Sequence, residues 1–131
     1  DSKSSVMTKR VLIIDDETGI RKITQISLNA IAQWEVLMAA SGAEGLAIAQ
    51  AEQPHAILLD VMMPEMDGIA TFQALQANAS TQTIPVILLT AKAQFFEQKQ
   101  LAELSVLGII TKPFKAPDLV KQMRSLLGWP E

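Results

Sequence analysis

The chain contains no cysteine, which excludes disulfides and thiolate metal sites and is compatible with a reducing compartment. It has one histidine, His55, with no metal-ligating residue types beside it, so His55 reads as a solvated loop residue. Basic residues are outnumbered, 11 Lys and Arg against 14 Asp and Glu for a net charge of -3. They form no cluster and do not alternate with aromatics, which argues against a nucleic-acid surface. No apolar stretch approaches the ~20 residues that span a bilayer. The polar opening, Asp1 to Ser5, is unlike a signal peptide, and Met7 is a candidate native start. No Gly-x-Gly turn follows the first apolar run, which speaks against a dinucleotide fold. A soluble, cytoplasmic, single-domain protein without membrane insertion or direct nucleic-acid contact is the expectation.

What the chain does have is a set of short apolar runs that end in polar groups. Val11–Ile14 runs into Asp15, Asp16 and Glu17. Ala56–Leu59 runs into Asp60, with Pro64 and Gly68 breaking the chain soon after. Pro85–Leu89 ends at Thr90, and Gly108–Ile110 ends at Thr111 and Lys112. Trp34–Met38 completes five candidate strands. Apolar runs of this length bounded by turn formers suit the buried strands of a parallel sheet.

Helical segments separate the runs. Ile20, Ile23, Ile26, Leu28 and Ile31 are spaced for an amphipathic helix, with Asp16 or Thr18 as its cap. Ser41 and Glu44 have capping-box spacing ahead of an alanine-rich helix that stops before Pro54. Asp67-Gly68 opens a helix carrying Ile69, Phe72 and Leu75. A fourth helix is expected over roughly Phe95–Leu104. Pro117 opens a fifth, which ends before Gly128.

This alternation predicts an α/β fold, a doubly wound five-stranded parallel sheet with five helices. One folded unit is expected over residues 9–128, with 1–8 and 129–131 as tails. Trp34 and Trp129 read as packing anchors. Met62, Met63 and Met66 read equally as an adaptable surface or as core filling, and Phe95-Phe96 equally as helix cover or as a partner surface.

Every strand-to-helix junction falls on one edge of such a sheet, where open α/β folds place their ligands. Asp15, Asp16, Asp60, Thr90 and Lys112 therefore share a rim. Three close carboxylates repel one another unless a cation joins them. Oxygen-only ligands suit Mg²⁺, which binds through one or two carboxylates plus substrate phosphate. Lys112 offers a point charge for phosphate and Thr90 a donor. These are parts that phosphoryl transfer uses, with Asp60 the natural nucleophile.

The acidic pair Asp15-Asp16, Asp60 with Met-Pro-Glu-Met-Asp-Gly after it, Thr90-Ala91 and Lys112-Pro113-Phe114 closely resemble the receiver domain of two-component response regulators, of the chemotaxis-regulator kind. The likeness runs from about Lys9 to Leu127. It implies the flavodoxin-like strand order 2-1-3-4-5 and a part in phosphorelay signalling. It further implies Mg²⁺ held by Asp15, Asp16, Asp60 and the Met62 backbone carbonyl, with Thr90 and Lys112 contacting the phosphoryl group. Asp60 would accept phosphate from a sensor histidine kinase or histidine phosphotransfer protein, and the Lys112-Pro113 peptide would be cis. Such a domain promotes its own phosphorylation and dephosphorylation, and is not an enzyme acting on another substrate. A downstream protein would then dock on, or a second copy pair through, the surface of the fourth helix, fifth strand and fifth helix.

Ile109 departs from the pattern, because receivers commonly place an aromatic three residues before the lysine. A muted or differently routed switch is the consequence. Lys92, two residues after Thr90, occupies a position that tunes dephosphorylation in the family. The competing readings are a degenerate receiver that keeps only the fold, and a haloacid-dehalogenase-like phosphatase. The phosphatase pattern places a second acid where this chain has Met62. A flavin protein of the same topology is disfavoured, because the acids after the first strand would repel a flavin phosphate.

Overall fold

A computed structural model describes residues 8–61, 68–90, 106–112 and 114–129. In chain order these residues form β1 (Arg10–Ile14), α1 (Thr18–Ser27) continued by a π-helical turn (Leu28–Ala32), β2 (Glu35–Ala39), and α2 (Gly42–Glu52). There follow β3 (Ala56–Asp60), α3 (Gly68–Ala77), β4 (Val86–Thr90), β5 (Gly108–Thr111) and α4 (Ala116–Leu127). The helix expected over Phe95–Leu104 lies outside the described residues, so α4 is the helix the sequence placed fifth.

All strand pairs are parallel, in the order β2-β1-β3-β4-β5. The three inner strands are apolar and buried almost throughout because both sheet faces are covered. Leu12, Ile14, Ile57, Leu59 and Leu88 face α2 and α3. Val11, Ile13, Leu58, Ile87 and Leu89 face α1 and α4. Alternation along each strand thus divides one continuous apolar run between two cores. Trp34 and Trp129 close the second core edge to face, 4.9 Å between ring centroids. Arg124 and Lys9 lie over their faces.

Capping follows local chemistry in α2. The Ser41 hydroxyl accepts from the Glu44 N–H at 3.2 Å, and the Glu44 carboxylate accepts from the Ala40 N–H. In α4, Pro117 sits in the first turn and Gly128 ends the helix at φ 70°, a conformation that glycine adopts without steric cost.

The sequence misleads in α1. Its N-cap is Glu17, which makes no side-chain capping bond, rather than Asp16 or Thr18. The buried side is carried by Thr24, Ser27 and Leu28, while Ile23, Ile26 and Ile31 are 54%, 65% and 43% exposed. The start of the helix is tied to the acidic rim, where the Glu17 N–H donates to Asp15 Oδ1 and Arg21 donates to the Asp15 carbonyl.

His55 is half-buried rather than solvated, and its Nδ1 accepts from the Arg10 N–H at 3.0 Å. Burial, with the charges of Lys9 and Arg10, holds its pKa below the ordinary 6.5. A pKa depressed by folding means that the unfolded chain takes up the proton first. The stability is therefore complete above 6.5 and declines as pH falls. We expect the melting temperature to drop between about pH 7 and pH 5, and His55→Asn, whose amide oxygen can still accept from Arg10, to flatten that slope. An equally steep slope in the variant would assign the decline to other groups.

Candidate functional site

Asp15 follows β1 directly, Asp60 is the last residue of β3, Thr90 the last of β4, and Lys112 follows β5. Parallel pairing puts all of them on the carboxyl edge of the sheet. The β3–β4 register sets Asp60 opposite Leu89, and the β4–β5 register sets Thr90 opposite Thr111. The next backbone bond, from the Lys112 N–H to the Thr90 carbonyl at 2.9 Å, ties the lysine to the end of β4.

The side chains converge. Carboxylate oxygens of Asp15, Asp16 and Asp60 all lie within 4.8 Å of one another. Asp15 is fully buried, Asp60 nearly so, and Asp16 is exposed. The Lys112 ammonium reaches Asp15 Oδ2 at 2.7 Å, Asp60 Oδ1 at 3.3 Å and Glu17 Oε1 at 3.6 Å. Burial acts to lower the Lys112 pKa, but the hydrogen bond and charge of Asp15, with those of Asp60, outweigh it and raise the pKa. The lysine is thus charged throughout the ordinary pH range, and one ammonium stands against four carboxylates.

Such a donor set, all oxygen and all anionic, fits a hard divalent cation and no soft one. Two carboxylates this close repel by roughly 1–4 kcal/mol per pair, depending on how far water screens them. A divalent cation would relieve that repulsion where one lysine cannot.

Backbone packing holds the site from below. The Gly68 N–H at the start of α3 donates to the Val61 carbonyl at 3.0 Å. A Cβ at Gly68 would stand 2.5 Å from the Asp60 carbonyl oxygen and from Val61 Cα. Only glycine lets α3 dock directly beneath the Asp60–Val61 peptide. The Asp-Gly pair reads in the sequence as a helix opener, and the close approach behind it has no sequence signal of its own.

The structure therefore brings Asp15, Asp16, Asp60 and Lys112 into one cluster and sets Thr90, fully buried, at the adjoining strand end. Met62 and Pro113 lie outside the described residues. Sequence reasoning did not single out Glu17 as a participant; its place directly after the acidic pair was the available signal. Ile109 pairs with Leu88 and packs, half-buried, against the core facing α2 and α3, so an aliphatic chain fills the position where receivers carry the aromatic.

The fold and this rim define a signalling domain of the two-component type. The chain belongs to the response regulator receiver domain family, whose profile matches residues 11–124.

Among individual relatives, the chain is 40% identical over 119 residues to a probable transcriptional regulator, ycf27, of Cyanophora paradoxa, covering 91% of this chain and 48% of that protein. It is 36% identical to the DNA-binding dual master transcriptional regulator RpaA of Synechocystis, over 90% of this chain and 48% of that protein. The chain thus spans about half the length of the curated relatives it matches. Among solved structures, the chemotaxis protein CheY4 of Vibrio cholerae superposes with a TM-score of 0.85 at 29% identity, covering 92% of this chain and 99% of that one. The receiver domain of the Pseudomonas aeruginosa sensor histidine kinase PA1611, 22% identical, superposes at 0.82 over 93% of this chain and 99% of that one. Its structure carries a magnesium ion in the active-site cleft.

Proposed function

We propose that this receiver accepts a phosphoryl group on Asp60 from the phosphohistidine of a sensor kinase or phosphotransfer protein, in a Mg²⁺-dependent reaction that alters a protein-docking surface. The observation that carries the proposal is the convergence of Asp15, Asp16, Asp60 and Lys112 within one rim. In this reading an Asp60 oxygen attacks phosphorus, the bond from phosphorus to the donor breaks, and the donor leaves with that electron pair. Lys112, held by Asp15, is poised to shift its ammonium from Asp60 to a phosphoryl oxygen. Thr90 supplies a hydroxyl donor to another oxygen from the neighbouring strand. Asp15, Asp16, Asp60 and the Met62 carbonyl would hold Mg²⁺, which when bound supplies the positive charge that neutralises the carboxylates and the incoming phosphate. The magnesium ion in the PA1611 receiver supports this choice of cation.

The same proposal places the unit at about residues 9–128, with Trp129 packing back onto its second core. It sets the protein in the cytoplasm, and no helix among the described residues is long and apolar enough to cross a membrane. Its output is protein docking, or pairing with a second copy, at the face around β5 and α4. Direct nucleic-acid contact by this surface is not part of the proposal, since the net charge is -3.

Mg²⁺ is expected to raise the melting temperature, because it binds the folded rim and not the unfolded chain. At a hundredfold excess over its dissociation constant the stabilisation is about 2.7 kcal/mol. Asp16→Ala should shrink that response, and the same variant should slow phosphoryl acceptance from acetyl phosphate. An unaltered Mg²⁺ response in Asp16→Ala would remove Asp16 from the metal set.

A further inference from the structure

Glu17 is the rim residue that neither the metal set nor the transfer chemistry uses. Its carboxylate lies 3.6 Å from the Lys112 ammonium, yet it stands outside the group of Asp15, Asp16 and Asp60. The Glu17 side chain is 64% exposed, against 10% for that of Lys112, so it lies on the solvent side of the lysine. The backbone fixes its place, since its N–H donates to Asp15 Oδ1 at 2.9 Å. As N-cap of α1 its side chain makes no capping bond, so the helix does not account for a carboxylate there.

We propose that Glu17 is a specificity-determining residue for the phosphoryl donor, a fixed negative charge at the mouth of the site that selects against small dianionic donors. This rests on the reading of Asp60 as phosphoacceptor. A dianion approaching Asp60 needs Lys112, and Glu17 opposes it twice, by repelling the phosphate and by sharing the ammonium. A donor that brings its own positive or neutral groups to the rim meets less of this opposition. Glu17 touches neither Asp60 nor the transferred group, so it acts through access to the site and through its hold on the Lys112 ammonium.

The test compares wild type, Glu17→Gln and Glu17→Lys at saturating Mg²⁺, with dianionic acetyl phosphate and with less-charged phosphoramidate as donors. Phosphorylation is read by intact mass. In the step the Asp60 O–P bond forms as acetate leaves acetyl phosphate with cleavage of its P–O bond, or as ammonia leaves phosphoramidate with cleavage of its P–N bond. At low salt, acetyl phosphate should phosphorylate Glu17→Gln roughly fivefold faster than wild type, and Glu17→Lys faster still, as expected for one and two units of charge at a few ångströms in water. The gain should shrink as salt shortens the screening length from ~10 Å at 0.1 M towards ~3 Å at 1 M, and it should be smaller for phosphoramidate.

Equal rates in wild type and Glu17→Gln, a salt-independent change, or a slower variant, the signature of a lost metal ligand or structural group, would overturn the proposal while leaving Asp60 as acceptor. A silent wild type beside an active Glu17→Gln would uphold the proposal in its strongest form, whereas no phosphate on wild type, Glu17→Gln or Glu17→Lys from either donor would overturn both.

Discussion

Asp60→Asn should take up no phosphoryl group from any donor, and in the absence of Mg²⁺ it should melt higher than wild type. The two halves of this result have one cause. Asp60 is 3% exposed and shares its rim with two other carboxylates within 4.8 Å. A carboxamide has nearly the same shape, so the Asp60 cavity and the packing of α3 beneath it are kept. It has no charge, however, and repulsion worth roughly 1–4 kcal/mol per carboxylate pair is relieved. The amide oxygen can still accept from Lys112, but an amide is not a nucleophile that forms an acyl phosphate. Intact mass checks the first half and thermal melts with and without Mg²⁺ the second, and the variant's Mg²⁺ response should be weaker than that of wild type. A destabilised Asp60→Asn would mean that Lys112 more than compensates Asp60, and that the rim is not under electrostatic strain.

The second large effect is expected at Lys112. The Lys112 and Asp15 side chains are 10% and 0% exposed and meet at 2.7 Å. Removing one member of a buried pair strands the other, at a typical cost of 3–5 kcal/mol. Lys112→Ala should therefore lose about 3 kcal/mol without metal, a fall of roughly 10 °C in melting temperature for a domain of this size. Saturating Mg²⁺ should recover much of that loss, because a divalent cation meets the same carboxylates. The stabilisation by Mg²⁺ should thus be larger in Lys112→Ala than in wild type, while phosphoryl transfer stays slow. Equal Mg²⁺ shifts in the two proteins would show that lysine and metal do not act on the same charges.

Residue pattern and three-dimensional packing each specify a different part of this site. The sheet was legible because its strands are apolar runs stopped by polar residues, as in Ala56–Asp60, where all five residues are buried. The strand ends gave the rim, since parallel topology carries Asp15, Asp60, Thr90 and Lys112 to one edge whatever the details of the helices. Helix phase was less legible. The isoleucines of α1 advertise an apolar face, but Ile23 and Ile26 turn outward while Thr24 and Ser27 are buried. Periodicity reports an apolar stripe and not which neighbour it meets.

His55 shows the same limit on a smaller scale. Its isolation in sequence implied solvent, whereas the β1–β3 pairing places its ring against the Arg10 N–H, 45 residues away. The close approach of Gly68 to the Asp60 carbonyl and the position of Glu17 beside Lys112 are likewise distances between segments, which residue spacing does not encode. Ile109 was legible as a departure, and its half-buried packing gives that departure a physical form.

Chemical trapping identifies the residue that carries the phosphoryl group. The protein is incubated with acetyl phosphate and Mg²⁺, reduced with borohydride to convert any acyl phosphate to an alcohol, and mapped by peptide mass spectrometry. Conversion of Asp60 to homoserine, at that residue alone and only when Mg²⁺ is present, is the predicted result. Conversion at Asp15, Asp16 or Glu17 with Asp60 intact would contradict the account.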